Sequence, residues 1–200
     1  IITSPIETVE RAWKRGLKTS RYKAVDDLLY HNIEAFTGMP ELFFSWMAIA
    51  DKEVNFEFLD NNVVLGELPL TIAFGKIGKM VILDLSALNN IDVFREINVD
   101  AKKPNEVFLK NEVKYNYDFL KECLSRISKV IFLNGATAEI YGIYQDGKWL
   151  YKNRLHTPKT KSEIDCLRNI GWYDNFDTDN ISDLEYYPNL DQELTLGRKT

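Results

Sequence analysis

Read with strand alternation, residues 93–102 place Glu96, Asn98, Asp100 and Lys102 on one face and Ile97, Val99 and Ala101 on the other. Two carboxylates and an ammonium on one side of a strand suit a hard divalent cation such as magnesium or manganese. The lysine would orient an attacking water or stabilise charge on a phosphoryl oxygen. Asp84 is expected at the C-terminal end of a neighbouring strand over 80–85 and adds a third carboxylate. The chemistry these residue types imply is metal-assisted phosphodiester hydrolysis. The acid-x-Lys step by itself is weak, because it occurs three times, at 100–102, 112–114 and 146–148. The third falls in a hairpin turn and is set aside.

The elements that must position these residues follow from periodicity and turn chemistry. Ser4-Pro5-Ile6-Glu7 has the form of a capping box with Pro at the first helical position, predicting a helix to about Lys18. Ala24, Val25, Leu28, Leu29, Ile33 and Phe36 predict a second helix ended by Gly38, and Pro40 opens a third through Ile49. Val54, Phe56 and Phe58 then alternate before an Asp60-Asn61-Asn62 turn. Strands are expected at 63–66, 70–75, 80–85 and 93–102, the second and third joined by a turn over 76–79. A helix over 117–127, a buried strand over 130–133, a hairpin around Asp146-Gly147 and a helix over 161–170 complete the chain. The fold class is therefore α/β, a mixed β-sheet flanked by helices. Residues 1–172 form one domain and 173–200 an acidic tail or interdomain linker.

Composition narrows the classes. The chain has 200 residues, 45% hydrophobic and 28% charged, which is ordinary globular composition with enough length for a full core. Its only cysteines, Cys123 and Cys166, have no metal-ligand spacing, so a reducing, intracellular setting is expected. No apolar run approaches the ~20 residues of a membrane span. No signal-peptide pattern opens the chain, and a start at Ile1 rather than Met suggests an excised fragment. The net charge of −5 disfavours bulk electrostatic capture of nucleic acid, yet residues 1–23 carry +4 and residues 146–168 carry +3. The second patch, with Lys152, Arg154, Lys159, Lys161 and His156 downstream of Trp149 and Tyr151, has the composition of an RNA contact. An exposed loop would look the same.

The order helix, strand, strand ending in Asp84, strand with Asp100-x-Lys102, helix, strand resembles the core of the PD-(D/E)XK nuclease superfamily over roughly residues 35–135. Within it the chain is similar to the cap-snatching endonuclease domain at the N-terminus of segmented negative-strand RNA virus polymerases. That likeness rests on Glu96-Ile-Asn-Val-Asp-Ala-Lys102, Lys114-Tyr-Asn-Tyr-Asp-Phe-Leu120, Val64-Leu-Gly-Glu67 and the late Leu167-Arg-Asn-Ile-Gly-Trp-Tyr-Asp-Asn-Phe176, the last resembling the end of such a domain in influenza-like polymerases. The resemblance implies Glu67, Asp84 and Glu96 or Asp100 as manganese or magnesium ligands and Lys102 or Lys114 as the catalytic lysine. It implies an endoribonuclease that cleaves capped RNA to prime transcription, with other polymerase subunits or domains as partners. A viral chain of this kind would work in the host nucleus or cytoplasm.

Active members carry a metal-binding His on a helix before the sheet. The best-fitting segment, Met39-Pro-Glu-Leu-Phe-Phe44, has none, and His31 lies one helix earlier. The resemblance therefore carries an alternative, a catalytically inactive docking module that needs no metal. A second alternative is a restriction-type DNA nuclease, since Asp100-Ala-Lys-Lys-Pro104, Ile131-Phe-Leu-Asn-Gly135 and Ile140-Tyr-Gly-Ile-Tyr144 resemble the nuclease domain of type I restriction enzymes.

Overall fold

The computed structural model describes residues 1–49, 55–109 and 117–174. Two helices open the chain, α1 (Pro5–Thr19) and α2 (Val25–Ile49). They are followed by β1 (Asn55–Asp60), β2 (Leu70–Lys76) and β3 (Lys79–Ile82). Then come α3 (Leu85–Val93), α4 (Asp118–Arg126), β4 (Lys129–Leu133), β5 (Ile140–Gln145), β6 (Lys148–Lys152) and α5 (Lys161–Asn169). The six strands form one mixed sheet in sequence order, antiparallel at every step except the parallel pair β3/β4. The chain is an α/β fold with its sheet flanked by helices, as the alternating periods imply.

The central strands are buried on both faces, which is why they read as continuous apolar runs. Met80, Ile82, Val130 and Phe132 enter the main core, while Val81, Ile131 and Leu133 join Phe74, Leu83 and Ile140 in a separate cluster. Beneath β1, Phe43, Phe44, Phe56, Phe58 and Phe119 meet at ring-centroid distances of 5.0–6.0 Å and tie α2 and α4 to the sheet. Such edge-on ring pairs add to the area they bury.

Two helical expectations change. α2 runs unbroken through Gly38 and Pro40, merging the two helices expected there. Phe36, Pro40, Phe43 and Phe44 share the i, i+4, i+7, i+8 stripe and are all buried, so the packed face carries the helix across the position where proline has no N–H to donate. At the head of α1, Ser4 makes no side-chain cap; its N–H instead donates to Asn62 Oδ1 at 2.6 Å, and Thr8 Oγ1 donates back to the Ser4 carbonyl.

Two strand expectations fail. Residues 63–66 are part of the β1–β2 loop, where Gly66 takes a φ of 104°. Residues 93–102 are not a strand: Val93 ends α3, and 94–102 form successive turns whose one ladder-type contact is an isolated bridge, Ile97 to Phe108. Asn98 organises them. Its Oδ1 accepts the Asp100 N–H at 3.0 Å, its N–H donates to Val107 O, and its Nδ2 donates to Glu106 O. This is the Asx-turn chemistry that competes with a β-ladder. Ile97, Ala101 and Val107 still bury themselves, with Leu29 of α2, in a small cluster flanked by Ile6 and Val9 of α1.

Candidate metal centre and nucleic-acid interface

Asp84 lies just beyond β3, not within it. The Leu83 and Asp84 N–H groups both donate to Ile72 O, which ends the strand, and Asp84 becomes the N-cap of α3. Its Oδ1 accepts the Ala87 N–H at 2.8 Å, meeting one of the donors a helix start leaves unpaired. Glu96 sits in the turn after α3, its N–H donating to Val93 O. Asp100 is exposed in the Asn98 turn, and the Lys102 N–H donates to Glu106 Oε2 at 2.9 Å. Glu67 is exposed in the β1–β2 loop, where its N–H closes a turn on Val64 O. Lys114 lies outside the described residues.

These side chains stand on separate turns and a helix cap, and among the described residues no three His, Cys, Asp or Glu side chains come together to hold a metal ion. The alternation that was to align Glu96, Asp100 and Lys102 has no strand to act through. Asp84, Glu96, Asp100 and Glu67 thus form no three-carboxylate cluster among the described residues. His31 is on the exposed side of α2, paired with Glu34 at 3.0 Å. No family model, no curated protein and no solved structure matches the chain.

The basic segment 152–161 divides in two. Lys152 folds inward: its Nζ donates to Gly171 O at 3.1 Å and Asp174 O at 2.7 Å and lies 5.5 Å from the Trp149 ring centroid. Burial holds its pKa below the ordinary lysine value, opposed by Asp174. Arg154, Lys159 and Lys161 are exposed.

His156 is the larger surprise. A turn closed by Asn153, whose Oδ1 accepts the Leu155 N–H, sends its ring into the fold. There it stacks on Tyr141 of β5, with centroids 3.7 Å apart and planes 5° from parallel. His156 Nε2 meets Glu163 Oε1 of α5 at 3.0 Å, and the His side chain is only 7% exposed. The other Glu163 oxygen accepts the Lys159 N–H, and Thr160 caps α5 while its hydroxyl meets that of Ser86 in α3 at 2.7 Å. Burial pushes the Tyr141 phenol well above its ordinary range, reinforced by Glu163, Cys166 and Asp84.

This corner lies at the C-terminal ends of β3 and β4, where open α/β sheets place their ligands, but its polar groups face one another and its rings are packed under Trp172. It is a latch that fastens the loop 153–160 to α5. A sequence signal for it existed, a His and a Glu seven residues apart around Thr160, which reads as an N-cap. A shallow concavity of about 650 Å³ lies at the opposite end of β4, between the end of α4, the β5–β6 turn and the end of α5. It contains none of the acids considered for the metal.

A second charged group is buried between α3 and α4. Asp92 has no exposed surface; its Oδ1 lies 2.6 Å from Arg95 Nη2 and its Oδ2 accepts the Phe119 N–H at 3.2 Å. Arg95 also reaches Asp118 at 3.0 Å. Desolvation raises the Asp92 pKa to about 6, against the opposing pull of Arg95 and the Phe119 amide. Among the described residues no helix is long and apolar enough to cross a membrane.

Proposed function

We propose that this chain is a nuclease-like module of an RNA polymerase assembly that docks against neighbouring subunits or domains and does not itself cut nucleic acid. The observation that carries this reading is the local employment of the acids. Asp84 caps α3, and Glu96, Asp100 and Lys102 stand on turns built by Asn98 and Glu106, with no strand to align them. The β1–β2 loop supports the docking half. Val64, Leu65 and Leu68 are all exposed there, Leu68 by 85%, as is Leu70 at the start of β2, and grouped exposed apolar residues of this kind mark interaction surfaces. Polymerase companions are what the sequence resemblance implies.

The test is manganese titration by calorimetry, with thermal unfolding and cleavage of single-stranded RNA and DNA alongside. The reading expects no binding tighter than millimolar, no rise in melting temperature and no cleavage of either substrate. Micromolar binding that disappears in Asp84→Asn or Asp100→Ala, with manganese-dependent RNA cleavage, would restore the cap-snatching endonuclease. Cleavage of DNA alone would favour the restriction-type nuclease.

A further inference from the structure

The junction of α1 and α2 builds an exposed pair of aromatic rings. α1 ends at Ser20, whose left-handed φ of 56° reverses the chain while its N–H donates to Gly16 O at 2.7 Å. The reversal lays Tyr22 across Gly16, where an added Cβ would come within 2.7 Å of the ring. Tyr22 then rests against Trp13, with centroids 5.2 Å apart and planes tilted by 47°. Glycine at 16 is what admits this contact. Trp13 stays 58% exposed and Tyr22 56%, so the pair forms a surface and not a core.

The chain on either side of it is basic. The two acids of residues 1–23 are engaged within the helix, Glu7 with Arg11 at 3.3 Å and Glu10 with Lys14 at 3.4 Å. Arg15, Lys18, Arg21 and Lys23 are exposed, with no ion-pair partner of their own among the described residues. The next acids, Asp26 and Asp27, lie at the head of α2, where Asp26 Oδ1 accepts the Asp27 N–H.

We propose that the Trp13–Tyr22 pair and these four cations form a binding site for single-stranded nucleic acid, bases stacking on the rings and phosphates meeting the cations. Exposed rings beside unpaired cations are the two components of a sequence-tolerant single-strand site. An acidic peptide would use the cations but gains nothing specific from exposed ring faces, and a duplex hides the faces of its bases. The site is independent of the docking reading, because it lies on α1 and not on the β1–β2 loop.

Fluorescence anisotropy with a labelled uridine homopolymer of about 12 nucleotides tests it on the whole chain. Trp13→Ala or Tyr22→Ala is expected to weaken binding about tenfold. The slope of log K against log salt should be about −3, from four phosphates at about 0.7 each, and should halve in Lys18→Ala/Arg21→Ala. Arg154→Ala/Lys161→Ala should bind like wild type, which separates this site from the 152–161 segment. Unchanged circular dichroism would confirm that the variants fold, and the charge variant tests the site even if a ring variant does not. No binding at low salt would overturn the proposal. So would unaltered binding without Trp13, equal affinity for duplex, or displacement by polyglutamate as effective as by unlabelled RNA.

Discussion

The chain contains two groupings of tryptophan, tyrosine and basic residues, and the fold treats them oppositely. At the α1–α2 junction Trp13 packs on Tyr22, which lies across Gly16, and both remain at the surface. At the far end of the sheet Trp149, Trp172, Tyr141 and His156 form a continuous edge-on and stacked cluster, with Trp149 Nε1 donating to Ile170 O and Lys152 drawn in over the same residues. Composition cannot separate the two. The separating factor is whether a strand stands behind the rings: β5 and β6 supply a face to pack on, whereas α1 beyond Val9 buries only Gly16. Aromatics beside lysines therefore indicate a binding surface only where the core has no use for them.

The sharpest way to break this contrast is truncation. Trp172, 2% exposed and edge-on to Tyr141 at 5.8 Å and Trp149 at 5.1 Å, should cost about 3–5 kcal/mol as Trp172→Ala. Trp13→Ala should stay within about 0.5 kcal/mol of wild type in the same thermal-unfolding series. Equal losses would erase the distinction between core and surface.

Buried and exposed charges extend the comparison. Free in the unfolded chain, the Asp92 carboxyl titrates near 3.8; in the fold it titrates near 6. Well below pH 3.8 it is protonated in both states. As pH rises towards 6 the unfolded chain gives up that proton first, so stability falls across this window by about 2–3 kcal/mol and then levels. Denaturant unfolding at successive pH values should show this component in wild type and not in Asp92→Asn. Glu10→Gln, which breaks an exposed pair on α1, should change stability by less than about 0.5 kcal/mol at any pH.

Two glycines give the finest contrast. An added Cβ at Gly142 would meet the Trp172 and Trp149 rings at 2.9 and 3.0 Å, and since neither can move aside, Gly142→Ala should cost about 1–3 kcal/mol. Gly16→Ala meets an exposed ring that solvent lets swing away and the Arg21 carbonyl at 3.0 Å in the exposed 20–24 connection, and it gains helix propensity, so its stability should lie within about 1 kcal/mol of wild type. Its effect should appear instead as Trp13 fluorescence altered by the loss of Tyr22.

Much of the fold was legible because local chemistry specified it. The Asp146-Gly147 turn takes φ values of 49° and 84° and sets the β5–β6 hairpin, Gly78 does the same between β2 and β3, and Leu120, Cys123 and Leu124 mark the buried face of α4. What failed were patterns with two physical solutions. Ile97, Val99 and Ala101 alternate, but three alternating apolar residues also fit turns that dip repeatedly into a small cluster, and Asn98, Asp100 and Pro104 were the turn signals among them. Asp84 was readable as a cap, since Leu85, Leu88 and Ile91 follow at helical spacing, yet the apolar run of β3 drew it into the strand. The fate of His156 depended on Tyr141 and Glu163, and only the tertiary fold brings the three together.

The sheet has one seam. Three antiparallel strands lie on either side of it, each set joined by neighbours in sequence, and only the parallel pairing of Val81 with Ile131 and its flanks unites them. Each meander can zip from its own turns, but the seam must wait for the entire crossover from 83 to 128 to close, and that entropy is met before any of its contacts form. The middle of the sheet is thus the pairing with the largest loop-closure cost, although it holds the most deeply buried strands.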